Sequence, residues 1–78
     1  MNSIEEFTKG LEVEFEDLEP GTLSSATNFR SIKGWSSMHA LIIIAYIDAN
    51  FNALLNGADL KSAQTIQDLY NITIEKLK

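Results

Sequence analysis

The chain has 78 residues, 45% of them apolar and 22% charged, with a net charge of −5. That composition describes one small folded domain with an economical core, and the absence of cysteine excludes disulfide staples, thiolate metal sites and a cysteine nucleophile. No basic stripe exists to neutralise phosphates, which argues against nucleic-acid binding.

Seven of the eleven acids (Glu5, Glu6, Glu12, Glu14, Glu16, Asp17 and Glu19) fall in the first nineteen residues against a single base, Lys9. This acidic segment reads either as a solvated helix face or as a patch that steers basic partners. The opening residues carry acids and no apolar h-region, so a signal peptide is not expected. The longest apolar run, Ala40 to Ile47, is far too short to span a bilayer. A cytoplasmic, monomeric protein is the expectation.

In chain order, Ile4, Phe7, Leu11, Phe15 and Leu18 recur at three- and four-residue steps, the period of one helix face. They predict a first helix over about residues 3 to 15, with Ser3 as N-cap and Glu6 completing a capping box. Gly10 weakens this helix without ending it, and Pro20-Gly21 stops it. Residues 20 to 36 form a long connection rich in Gly, Ser, Thr and Asn, anchored by Phe29 and Ile32 turned inward.

A second helix begins at Ser36 or Ser37 and runs to about Phe51. Ala40, Ile43, Ile44, Ile47 and Phe51 share a core-facing stripe, while Met38, Ile42, Ala45 and Ala49 form a second apolar stripe on the far side. That second stripe is either covered by the long loop or left as a contact surface. If both hold, the loop covers Leu41 and leaves Met38, Ile42 and Ala49 outside. Asn56-Gly57 marks a turn, and Asp59 caps a short third helix near residues 60 to 62. Thr65 caps the last helix with Asp68 at the reciprocal position, and Ile66, Leu69, Tyr70, Thr73 and Leu77 make its inner face. No period-two pattern competes, so the fold class is all-α: three main helices, one short one and a long first loop.

Serine at a helix start is ordinarily a cap. Here Trp35-Ser36-Ser37-Met38 follows a loop containing Thr27-Asn28-Phe29. It precedes Leu55-Asn56-Gly57-Ala58-Asp59-Leu60 and then Thr65-Ile66-Gln67-Asp68-Leu69-Tyr70. This order of motifs resembles the acyl carrier protein family, in particular the branch whose modification motif reads W-D-S-L. The resemblance implies a four-helix bundle whose serine, matched by Ser37, is esterified with 4′-phosphopantetheine derived from coenzyme A. It also implies a non-catalytic carrier of acyl thioesters in fatty-acid, polyketide or related lipid biosynthesis. The implied partners are a phosphopantetheinyl transferase and acyl-loading or acyl-transferring enzymes such as a ketosynthase or acyltransferase.

Two positions depart from the family's pattern. Ser36 stands where an acid usually precedes the modified serine, which bears on the choice of transferase. The outer face of the second helix, usually acidic, carries His39, Ile42 and Ala49, with Asp48 as the remaining acid. Docking through Met38, His39, Ile42, Ala45 and Ala49 is therefore expected to be apolar and weakly salt-dependent. His39 lies two residues from Ser37 and so points to nearly the opposite side of the helix, which removes it as a base for that serine. It reads as a surface residue beside the arm, and with no companion ligands it makes no metal site. Trp35 reads as a packing anchor. The sequon Asn71-Ile72-Thr73 falls within a predicted helix and is discounted. Beside the acyl carrier stand an aminoacyl or peptidyl carrier and, from another class, an unmodified helical adaptor. A hydrolase built on Ser37 lacks a base and an oxyanion hole.

Overall fold

The computed structural model describes residues 3–15, 21–32 and 34–77. Four helices follow in order: α1 (Ile4–Glu14), α2 (Ser37–Phe51), α3 (Gly57–Ser62) and α4 (Ile66–Lys76), with a 3-10 turn at Phe29–Ser31 in the first connection. No strand occurs among the described residues; an isolated antiparallel bridge joins Asn28 to Thr65. The expected all-α architecture with one short helix is present. Leu18, the Pro20 stop and the acids Glu16, Asp17 and Glu19 lie outside the described residues.

Local chemistry sets the helix starts. At α1 the Ser3 hydroxyl accepts from the Glu6 N–H at 3.2 Å, and Glu6 Oε1 accepts from the Ser3 N–H at 3.2 Å. At α4 Thr65 and Asp68 make the same reciprocal pair. At α3 the assignment needs correcting. Asn56 is the N-cap, its Oδ1 accepting from the Asp59 N–H at 2.9 Å, and Asp59 is the N3 partner that returns a bond to the Asn56 N–H at 3.0 Å. Each exchange satisfies two of the donors that a helix start leaves without intrahelical partners. α2 ends at Asn52, whose φ of 54° enters the left-handed region that asparagine tolerates better than other side chains.

α1 packs against α2 and α4. Phe7 is fully buried, with its ring 5.8 Å from Tyr46, 5.3 Å from Phe51 and 5.4 Å from Tyr70, centroid to centroid. Such offset and edge contacts add to an area term of about 1.5–3 kcal/mol for a buried Phe. The connection supplies its own share of the core, since Leu23, Phe29 and Ile32 are all buried, the last two as expected. Two backbone bonds hold its far end to the start of α4, Ile66 N–H to Thr27 C=O at 3.1 Å and Gln67 N–H to Ser25 C=O at 2.9 Å. Arg30 donates to the Leu60 carbonyl and lies over the Phe29 ring. The loop is thereby built into the bundle.

Three packing expectations change. Tyr46 belongs to the core face of α2, where its hydroxyl donates to the Phe7 carbonyl at 3.0 Å; burial, and then the Glu14 charge, push the phenol above its ordinary range. Leu77 is 48% exposed because α4 ends at Lys76 and Leu77 is already its C-cap. Glu12, counted with the acidic face, is only 7% exposed. Its carboxylate turns inward and accepts from the N–H groups of Gly21 at 3.2 Å and Leu23 at 2.6 Å, pinning the re-entry of the loop onto α1.

Candidate functional site

The segment leading into α2 turns at Gly34, where a φ of 78° favours a residue without Cβ. Trp35 follows, half-buried, with its ring edge on Phe29 at 5.5 Å. This confirms its role as the anchor between loop and helix start. Ser36 is the N-cap of α2 in extended conformation and Ser37 is the first helical residue. Both serines are exposed.

The two hydroxyls are in different situations. Ser36 Oγ lies 3.2 Å from His39 Nδ1, and the same ring nitrogen lies 3.2 Å from the Ser36 backbone nitrogen. Ser37 Oγ makes no hydrogen bond to any described residue. Its hydroxyl is therefore free for chemistry at a helix start, where unpaired N–H groups and the positive end of the helix dipole favour an added anion. A phosphodiester fits there: the position is exposed, the backbone donors are of the right kind, and no acidic side chain occupies the first turn.

His39 corrects its sequence reading. It is half-buried, not a free surface residue, and its ring is held between Phe15 at 5.4 Å and Trp35 at 5.5 Å, tilted 31° and 36° to them. It faces the end of α1 and the loop, away from Ser37, as the angular argument requires. Among the described residues no cluster of His, Asp and Glu could hold a metal ion.

The outer face of α2 is partly as read and partly not. Met38 is 67% exposed, and Ala45 and Ala49 are exposed, so three members of the second stripe face solvent. Ile42 does not; it is half-buried and packs on the core. Leu41, which the loop was to cover, is 65% exposed. At about 100° per residue, Met38, Leu41, Ala45 and Ala49 make one continuous stripe while Ile42 rotates toward the interior. Asp48 flanks the stripe and is exposed.

On the α1 side, a groove of about 800 Å³ runs beside the loop, with Ile4, Val13, Phe15 and Leu23 among its walls. Two of its polar groups are engaged internally: the Thr8 hydroxyl donates to the Ile4 carbonyl at 2.8 Å, and Glu12 is taken up by the loop N–H groups, while Glu5 and Lys9 also line it. Phe15 is common to this groove and to the His39 clamp.

Sequence reasoning missed two of these residues. Leu41 was misplaced because helix angle alone does not show where a loop runs. The clamp on His39 went unseen because histidine is not a usual N3 partner in a capping box. The spacing Ser36 to His39, three residues, was the signal that could have found it. Comparison of the chain with models of known protein families and with curated proteins returns no match. No helix among the described residues is long and apolar enough to cross a membrane.

Proposed function

We propose that the protein is an acyl carrier whose Ser37 bears a 4′-phosphopantetheine arm, and that the bundle presents the thioester at the arm's end to partner enzymes. The carrying observation is the exposed Ser37 hydroxyl, without a hydrogen bond to any described residue, at the first position of α2, while Ser36 and His39 engage each other beside it. A serine used only as a cap would be the one with its hydroxyl engaged. Further support comes from the motif order around Trp35 and from a loop fastened at both ends, which holds the helix start in one place.

In the transfer, the Ser37 oxygen attacks the pantetheine-side phosphorus of coenzyme A. One P–O bond forms and the pyrophosphate P–O bond breaks, 3′,5′-ADP leaves, and the serine proton passes to solvent or to the transferase. When bound, the arm supplies the thiol that carries the cargo as a thioester. The chain's own part is to hold the diester at the helix start, an interaction of about 0.3–1 kcal/mol for an exposed anion, and to offer the Met38, Leu41, Ala45 and Ala49 stripe to a transferase, ketosynthase or acyltransferase.

Intact mass after incubation with coenzyme A and a broad-specificity transferase tests this. The expected result is a gain of one phosphopantetheine, lost in Ser37→Ala and kept in Ser36→Ala. No gain, with the cognate transferase also tried, replaces the carrier with an unmodified helical adaptor that binds through the α2 stripe.

A further inference from the structure

We propose that His39 is a positioning residue: its neutral imidazole caps the Ser36 N–H and, clamped between Phe15 and Trp35, fixes the start of α2 that presents Ser37. Its effect on transfer rests on the carrier reading above, whereas its effect on the helix start does not.

The geometry specifies the chemistry of the ring. Nδ1 lies 3.2 Å from the Ser36 backbone nitrogen, which can only donate, so Nδ1 must be the acceptor and the ring proton sits on Nε2. Nδ1 has a single lone pair, and the Ser36 hydroxyl 3.2 Å away competes for it or rotates aside. Ser36 and His39 are the two ends of a capping box, and the reciprocal bond to the Ser36 N–H comes from the ring of the third helical residue, His39. Glu or Gln ordinarily fills that position. Histidine adds a flat ring, and the two aromatic neighbours use it: Phe15 comes from the end of α1 and Trp35 from the loop, so three segments converge on one side chain.

The chain has one histidine and one tryptophan, and their rings are 5.5 Å apart, which makes Trp35 emission a direct reporter of the clamp. The test compares wild type, His39→Gln and His39→Ala. Gln restores an acceptor at the usual capping position but not the flat ring. Trp35 emission should change in both variants, which lose the ring beside it. Exchange of the Ser36 amide at neutral pH should be slow in wild type and His39→Gln, and faster by about fivefold in His39→Ala, as for one lost cap. Transfer of phosphopantetheine to Ser37 should follow the same order, slower in His39→Ala and restored in His39→Gln. Equal Ser36 amide exchange in wild type and His39→Ala overturns the proposal, as does Trp35 emission that is the same in wild type and His39→Ala. So does His39→Ala modified at the wild-type rate. If wild type itself is not modified, the carrier reading fails, and emission and exchange alone decide the role of His39.

Discussion

Gly10 sits in the middle of α1 with its backbone against Tyr46: a Cβ built there would overlap the Tyr46 hydroxyl oxygen and lie 3.0 Å from Cζ. From sequence it read only as a weak point, a residue that costs a helix roughly 1 kcal/mol relative to Ala. The structure reverses that sign. Tyr46 needs the space, because its hydroxyl reaches past Gly10 to the Phe7 carbonyl at 3.0 Å. Gly10→Ala should therefore destabilise by about 1–3 kcal/mol, as overpacking does, despite the better propensity of Ala. The urea midpoint measures it. In a Tyr46→Phe background the overlap with the oxygen is gone, so the same change should cost less, and the two substitutions should fail to add. No spacing rule could show this contact, since the partners are thirty-six positions apart and only the α1–α2 packing brings them together.

At the scale of the element, the helix starts were the most legible part of the chain, and the reason is locality. A capping box is a bond between residues three apart, so Ser3 with Glu6 and Thr65 with Asp68 could be found without knowing the fold. Asn56 was passed over in favour of Asp59 because both are good caps and the turn before α3 can be entered at either. The same two aspartates carry a pH dependence. The Asn56 backbone N–H foremost, and the Lys76 ammonium at 3.3 Å, hold the Asp59 carboxyl below its ordinary range against some desolvation. The backbone N–H groups of Gln64 and Thr65 do the same for Asp68. A carboxyl whose pKa is lower folded than unfolded leaves the unfolded chain binding more protons. Its stabilisation is complete above the unfolded pKa and is lost as the pH falls through the folded one, below about pH 4. Urea unfolding across that range should show stability declining on acidification. Asp59→Asn and Asp68→Asn should each make the decline shallower while lowering stability at neutral pH.

For the whole molecule, the four helices and the inward turn of Phe29 and Ile32 could be read from pattern, but the standing of the first connection could not. Composition marked it as loop. Its residues instead bury Leu23, Phe29 and Ile32 and bond to α1 through Glu12, to α3 through Arg30 and to α4 through Thr27 and Ser25. Those links join segments far apart in sequence, which periodicity does not register. They make a specific claim about cooperativity. Phe29 is fully buried, and its loss to Ala should cost about 3–5 kcal/mol. Native domains hold only about 0.05–0.15 kcal/mol per residue, so a chain this short would spend much of its stability on one loop side chain. Two probes separate the possibilities. Far-UV circular dichroism follows the helices, and Trp35, whose ring meets Phe29 at 5.5 Å, follows the connection. If the loop is part of the single core, Phe29→Ala should move both urea transitions to lower concentration together, and they should coincide in wild type as well. A tryptophan transition that runs ahead of the helical one in wild type would make the connection a separately melting lid, and Ser37 would then be presented from a helix start whose support comes and goes.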